Sequence, residues 1–193
     1  MRPCRVLPGV LGVLLIAGCA STTSTIRPAA STSPVHSVQV SETFVSGGAG
    51  QAVTYDESLV PAGARGAVQS RSGEGTTTVM LAVRGLQPQR LYGAHVHTQP
   101  CGVQAEDAGP HFQFSADPVQ PSVDPTFANP QNEVWLDFTT DETGAGSTES
   151  TVAWTFPADR RPRSVVVHAL QTSSEPGEAG SAGDRAACIS VDF

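Results

Sequence analysis

Lysine is absent from this chain. All 11 basic residues among its 193 are arginine, set against 18 acids for a formal charge of −7. So few cations leave nothing to neutralise a phosphate backbone, which excludes nucleic acid as a partner. Aromatics make up only 6% and charged residues only 15%, while 19 Gly and 15 Pro divide the chain into short pieces. That balance suits many short strands joined by turns better than packed helices. The apolar run at residues 6–16 falls well short of the roughly 20 residues a membrane span needs. The length has room for one domain of ordinary size with an export signal and a linker, and not for two full domains.

The start of the chain gives an address. Arg2 and Arg5 precede the apolar run, and Ile16-Ala17-Gly18-Cys19 closes it with small residues before a cysteine, which resembles a bacterial lipobox. Cleavage before Cys19 would make that residue the mature N-terminus and the carrier of a lipid; the alternative is an ordinary secretory signal with a coincidental cysteine. The division expected is a lipoprotein signal at residues 1–18, a Ser/Thr-rich flexible tether at 19–36 and one folded domain at 37–193. Loss of Arg2 and Arg5 with the signal leaves 9 arginines against 18 acids, a net −9. The expected location is outside the cytoplasm, lipid-anchored to the bacterial cell membrane.

Of the four cysteines, Cys4 leaves with the signal and Cys19 is taken by lipid, so Cys101 and Cys188 remain as the one available pair. Outside the cytoplasm the two are expected to be bonded.

Apolar and polar residues alternate over residues 37–45, with Val38, Val40 and Phe44 on one face, and over 76–83, with Thr77, Val79, Leu81 and Val83 in step. Further strands are expected at 66–69, 92–97, 133–139, 150–156 and 164–170, with a turn-rich Ser72-Gly73-Glu74-Gly75 closing a hairpin and a long Pro- and Gly-rich loop at 98–132. Seven or eight antiparallel strands with long loops describe an all-β sandwich.

Five histidines punctuate this pattern. His95 and His97 are two apart in Gly93-Ala94-His95-Val96-His97, so on a strand both rings leave the same face and can meet one ion. Polar alternation on a surface strand, or hydrogen-bonded interior histidines, would give the same spacing. His111 follows Gly109-Pro110 in the long loop, where a ring can be aimed without joining a ladder. His168 ends the apolar run Ser164-Val165-Val166-Val167-His168, and burying an imidazole there is costly without a hydrogen bond or a metal to compensate. His36 reads as an exposed bystander. Four imidazoles without a free thiolate would suit copper, zinc or nickel, with tetragonal nitrogen sites tending toward copper.

Taken in order, Gly93-Ala94-His95-Val96-His97, Cys101-Gly102, Gly109-Pro110-His111-Phe112, Arg163 through Ala169 and Gly180 through Cys188 resemble the motifs of copper/zinc superoxide dismutases, over about residues 60–193. The resemblance implies an eight-stranded Greek-key sandwich. It implies copper ligation by His95, His97, His111 and His168, with His111 at the position that bridges copper and zinc in the family. It also implies a Cys101–Cys188 bridge, and Arg185 beside the copper to orient superoxide. In the family the bridging imidazole is a proposed proton donor, here His111, so Arg185 and His111 are the expected catalytic residues. The activity implied is dismutation of superoxide to dioxygen and hydrogen peroxide.

Two departures qualify that expectation. The family's zinc ligands include further histidines after the bridging one, yet between His111 and His168 this sequence has none, only carboxylates such as Asp117, Asp124 and Glu133. One imidazole with carboxylates is a poor zinc site, so a single copper and no zinc are expected. Glu133 falls near the family's zinc Asp and is a candidate to hydrogen-bond the outer nitrogen of His111, against the alternative of an exposed glutamate at a strand start. Residues 171–180 lack the family's charged guidance residues and carry only Glu175 and Glu178. Steering of an anion is correspondingly weaker. The alternatives kept open are a copper-binding or copper-buffering lipoprotein with little dismutase activity, and a metal-free structural descendant.

Overall fold

The computed structural model describes Met1, residues 34–48 and residues 50–193. The expected signal after Met1, Cys19 and the expected tether up to residue 33 lie outside the described residues.

Among the described residues ten strands build the fold, in chain order β1 (His36–Thr43), β2 (Ala52–Thr54), β3 (Arg65–Gly73), β4 (Thr76–Arg84), β5 (Leu91–Tyr92), β6 (Ala94–His97), β7 (Phe138–Thr139), β8 (Gly146–Val152), β9 (Ser164–His168) and β10 (Arg185–Ser190). One four-stranded sheet runs β1-β3-β4-β8, a second runs β2-β10-β9-β6, and β5 with β7 forms a two-stranded ribbon. All pairings between these strands are antiparallel. The two large sheets face each other across one apolar core that includes Val68, Val79 and Leu81 from the first and Val96, Val165, Val167 and Ile189 from the second. This is the all-β antiparallel sandwich the sequence describes.

Local chemistry explains the pieces. Period-2 alternation carries β3 and β4, whose alternate residues are buried. Glu74 and Gly75, both at positive φ, turn the chain between them. A two-residue loop with both central residues left-handed matches the twist of a hairpin.

The differences from the sequence reading lie at strand ends and in two strands it did not foresee. β1 begins at His36, the last residue assigned to the tether. β3 extends to Gly73, because Ser72 and Gly73 stay in register with Thr77 and Thr76 instead of entering the turn. The expected strand at 133–139 contracts to Phe138–Thr139, since residues 133 and 135 pair only through isolated bridges to Gln113 and His95. β2 and β10 were not anticipated, and a 3-10 turn, Ala105–Ala108, interrupts the long loop.

Candidate metal centre

The second sheet supplies three of the four relevant histidines or their support. On β6, His95 and His97 point to the face opposite Val96, which enters the main core. β9 lies between β6 and β10. His168, at its end, is paired with Arg185, the first residue of β10. His111 comes from the long loop and is tied to His97 by an isolated antiparallel bridge.

The geometry brings the four rings together. His95, His97, His111 and His168 each offer a ring nitrogen, and these atoms lie within 4.8 Å of one another. Among the described residues it is the one group of three or more His, Cys, Asp or Glu side chains to converge in this way. His95 and His97 are fully buried, His168 nearly so, and the His111 side chain keeps 19% of its surface exposed. His36 is exposed at the start of β1, away from this cluster.

Hydrogen bonds on the far side of each ring assign its inward atom. His97 donates through Nδ1 to the Gly109 carbonyl at 2.9 Å, and His168 through Nδ1 to the Gly183 carbonyl at 3.2 Å. His111 donates through Nδ1 to Glu133 Oε2 at 3.0 Å. In these three the lone pair is left on Nε2. His95 is reversed: its Nε2 lies 2.8 Å from the Thr172 hydroxyl, whose own proton goes to Asp137 Oδ1 at 2.6 Å. The free lone pair of His95 is therefore on Nδ1, a buried atom with no hydrogen-bond partner.

This arrangement fits a cation. A buried polar atom without a partner is costly, and His97 Nε2 and His168 Nε2 sit 3.4 Å apart as two acceptors with no proton between them. Imidazole–metal bonds of about 2 Å put opposing ligands about 4 Å apart, so the rings need to draw in by less than about 1 Å. Burial, reinforced by repulsion from neighbouring rings, pushes His95 and His97 well below the ordinary imidazole range. The same causes take His168 to about 3. Neutral imidazoles are the form that ligates metal.

Glu133 is 1% exposed rather than a solvated strand start. Its Oε2 accepts from His111 Nδ1 and, at 2.7 Å, from Trp135 Nε1, while Oε1 accepts from Gln113 Nε2 at 2.8 Å. Gly180, at φ +80°, lies over this pair; a Cβ there would come within 3.1 Å of Ala128 Cβ and 3.7 Å of His111 Nδ1. Asp117 and Asp124, the other carboxylates weighed as zinc ligands, are engaged locally, Asp117 by Val119 N and Ser122 Oγ, and Asp124 by Thr126 N.

Arg185 anchors its guanidinium on two carbonyls, Ala105 at 2.8 Å and Gly109 at 2.7 Å. It lines a cavity of about 810 Å³ together with His111 and His168. Partial burial lowers its pKa, nearby Glu106 and Tyr55 opposing the effect, and guanidinium remains charged in proteins. Cys101 and Cys188 are joined by a disulfide, which ties the loop bearing Ala105 and Gly109 to β10. The sequence reading missed Thr172, Asp137, Trp135 and Gln113. Alternation over 133–139 does put Glu133, Trp135 and Asp137 on one face, and that signal could have found two of them.

An antiparallel sandwich carrying four convergent imidazoles has the donor set of a metal-binding protein. The family model for "Copper/zinc superoxide dismutase (SODC)" matches residues 64–191. The chain belongs to the copper/zinc superoxide dismutase family. The fold is also similar to that of a solved Cu/Zn superoxide dismutase from Brucella abortus, at 21% identity and a TM-score of 0.50, over 83% of this chain and 100% of that one. No curated protein sequence matches the chain. Family membership supports oxidoreductase chemistry of the superoxide dismutase type, a metal-binding site that takes copper, and superoxide as the substrate.

Proposed function

We propose that this protein is a copper-only superoxide dismutase, held outside the bacterial membrane by a lipid on Cys19. His95 Nδ1 and the Nε2 atoms of His97, His111 and His168 would hold the one copper ion. Bound copper would supply a Cu(II)/Cu(I) couple, so that two superoxide ions and two protons become one dioxygen and one hydrogen peroxide.

The chain's own residues supply the rest. Arg185 faces the cavity with a fixed positive charge and draws in and orients the small anion. His111, the most exposed of the four rings, is the candidate proton carrier: its Nε2 can hold either the ion or a proton, one at a time, while its Nδ1–H stays on Glu133. The observation that carries the copper-only reading is the buried Glu133 occupying the outer nitrogen of His111, the atom a zinc ion would need. A second reading, a copper buffer with little turnover, is favoured by the 171–180 stretch, which carries no positive charge.

Metal analysis and superoxide removal by the copper-loaded protein separate these. The expected result is one copper per chain, no zinc, and superoxide removal that is lost in His168→Ala. Removal no faster than with that variant would leave only the buffer, and one stoichiometric zinc in a second site would end the copper-only reading. Mass spectrometry of the mature N-terminus tests the lipid, which Cys19→Ala is expected to abolish.

A further inference from the structure

His97 and His168 are oriented by backbone carbonyls and His111 by a carboxylate, but His95 is oriented through a chain of two side chains. Thr172 accepts from His95 Nε2 at 2.8 Å and donates to Asp137 Oδ1 at 2.6 Å, and its backbone N–H donates to Asp137 Oδ2 at 2.9 Å. The hydroxyl has one proton, and Asp137 takes it. Only an acceptor is then presented to His95, which fixes that ring with its proton on Nε2 and its lone pair on the buried Nδ1.

Neither end of this chain is free to drift. Asp137 stands beside β7, and its Oδ1 also lies 3.3 Å from the backbone N of Ala94, next to His95 itself. Thr172 belongs to the loop after β9. That loop is fastened to the start of β6 by Gly93 N–H to the Leu170 carbonyl at 2.6 Å. The approach is close enough that a Cβ on Gly93 would stand 2.7 Å from the Leu170 oxygen and 3.0 Å from Thr172 Oγ1. The stretch that lacks guidance charges thus has another task.

We infer that Thr172, held by Asp137, is a positioning residue that sets the tautomer and direction of His95 and so completes the four-nitrogen site. The inference rests on reading the cluster as a copper site. A hydrogen-bonded partner on the outer nitrogen of a ligating histidine commonly contributes 10- to 100-fold in metal affinity.

The test uses the full chain and two independent readouts. In metal-free protein labelled with 15N at histidine, long-range 1H–15N spectra are expected to show His95 as the Nε2–H form, and Thr172→Val to yield a mixture of tautomers. In chelator competition, Thr172→Val is expected to weaken copper binding about 10- to 100-fold and to alter the Cu(II) EPR hyperfine splitting. Thr172→Ser, which keeps the hydroxyl, restores both, and Asp137→Asn reproduces the defect in milder form. Unchanged tautomer, affinity and EPR spectrum in Thr172→Val would overturn the inference. Wild-type protein that takes up no copper would instead overturn the reading of the site, and the tautomer spectra would then decide the role of Thr172 alone.

Discussion

His97 and Arg185 donate to the same acceptor, the carbonyl oxygen of Gly109, from 2.9 and 2.7 Å. One backbone atom thereby sets both a proposed ligand and the proposed substrate-orienting cation. Lysine could supply the charge of Arg185 but not the fork that spans Ala105 and Gly109. Arg185→Ala is expected to slow superoxide removal about tenfold or more, a typical loss of local steering, with Arg185→Lys in between. Copper content should be unchanged in both. A full rate in Arg185→Ala, measured by pulse radiolysis, would remove Arg185 from the mechanism.

The buried Glu133 accepts from an imidazole, an indole and an amide at once. Glu133→Gln replaces one acceptor oxygen with a donor and leaves at least one of those N–H groups facing another. A cost of about 2 kcal/mol in stability is expected, read as a lower urea midpoint, together with slower turnover. A midpoint equal to wild type would mean the network is slack.

Part of this site was legible in the sequence. The Gly-Ala-His-Val-His pattern fixes two rings on one face, because side chains on a strand alternate, and Val96 does enter the core behind them. Cys101 and Cys188 could be paired by elimination, and the disulfide is there. The bond from His111 to Glu133, 22 positions apart, was offered by the family resemblance and is there, whereas the contact of Thr172 with His95, across 77 positions, left no trace in the sequence. Thr172 sits in a polar run that reads only as loop, and its task exists only once the loop is folded against β6. β2 was invisible because three residues carry no period, and the bulge between Arg185 and Ala187 breaks the alternation of β10.

Acidity should destabilise the metal-free fold. Burial holds His95 and His97 well below the ordinary imidazole range and His168 at about 3, whereas in the unfolded chain these rings titrate near 6.5. Below pH 6.5 the unfolded state therefore binds more protons. The contribution of these rings is complete above that value and is lost progressively as pH falls toward 3. Urea midpoints of the copper-free protein should be clearly lower at pH 5 than at pH 7.5. Equal midpoints would contradict the neutral, buried state of these three rings.

Reducing the Cys101–Cys188 bridge should act twice. It closes a loop with a sequence separation of 87 residues, for which the chain-entropy model gives about 4 to 5 kcal/mol. It also tethers the segment whose carbonyls hold Arg185. The double variant Cys101→Ser, Cys188→Ser is expected to lose about 4 kcal/mol in calorimetry and to remove superoxide more slowly even where it stays folded. Unimpaired turnover in the folded fraction would separate the bridge from the anchoring of Arg185.

His168 rides on β9, an interior strand flanked on both sides, and β6 is itself covered on its outer edge by the bridges to residues 111 and 135. Fraying at the rim of the molecule cannot reach such a position. Three of the four rings thus keep their seats while the periphery breathes, and a captured ion would find its way out on the side of the loop-borne His111, which borders the cavity.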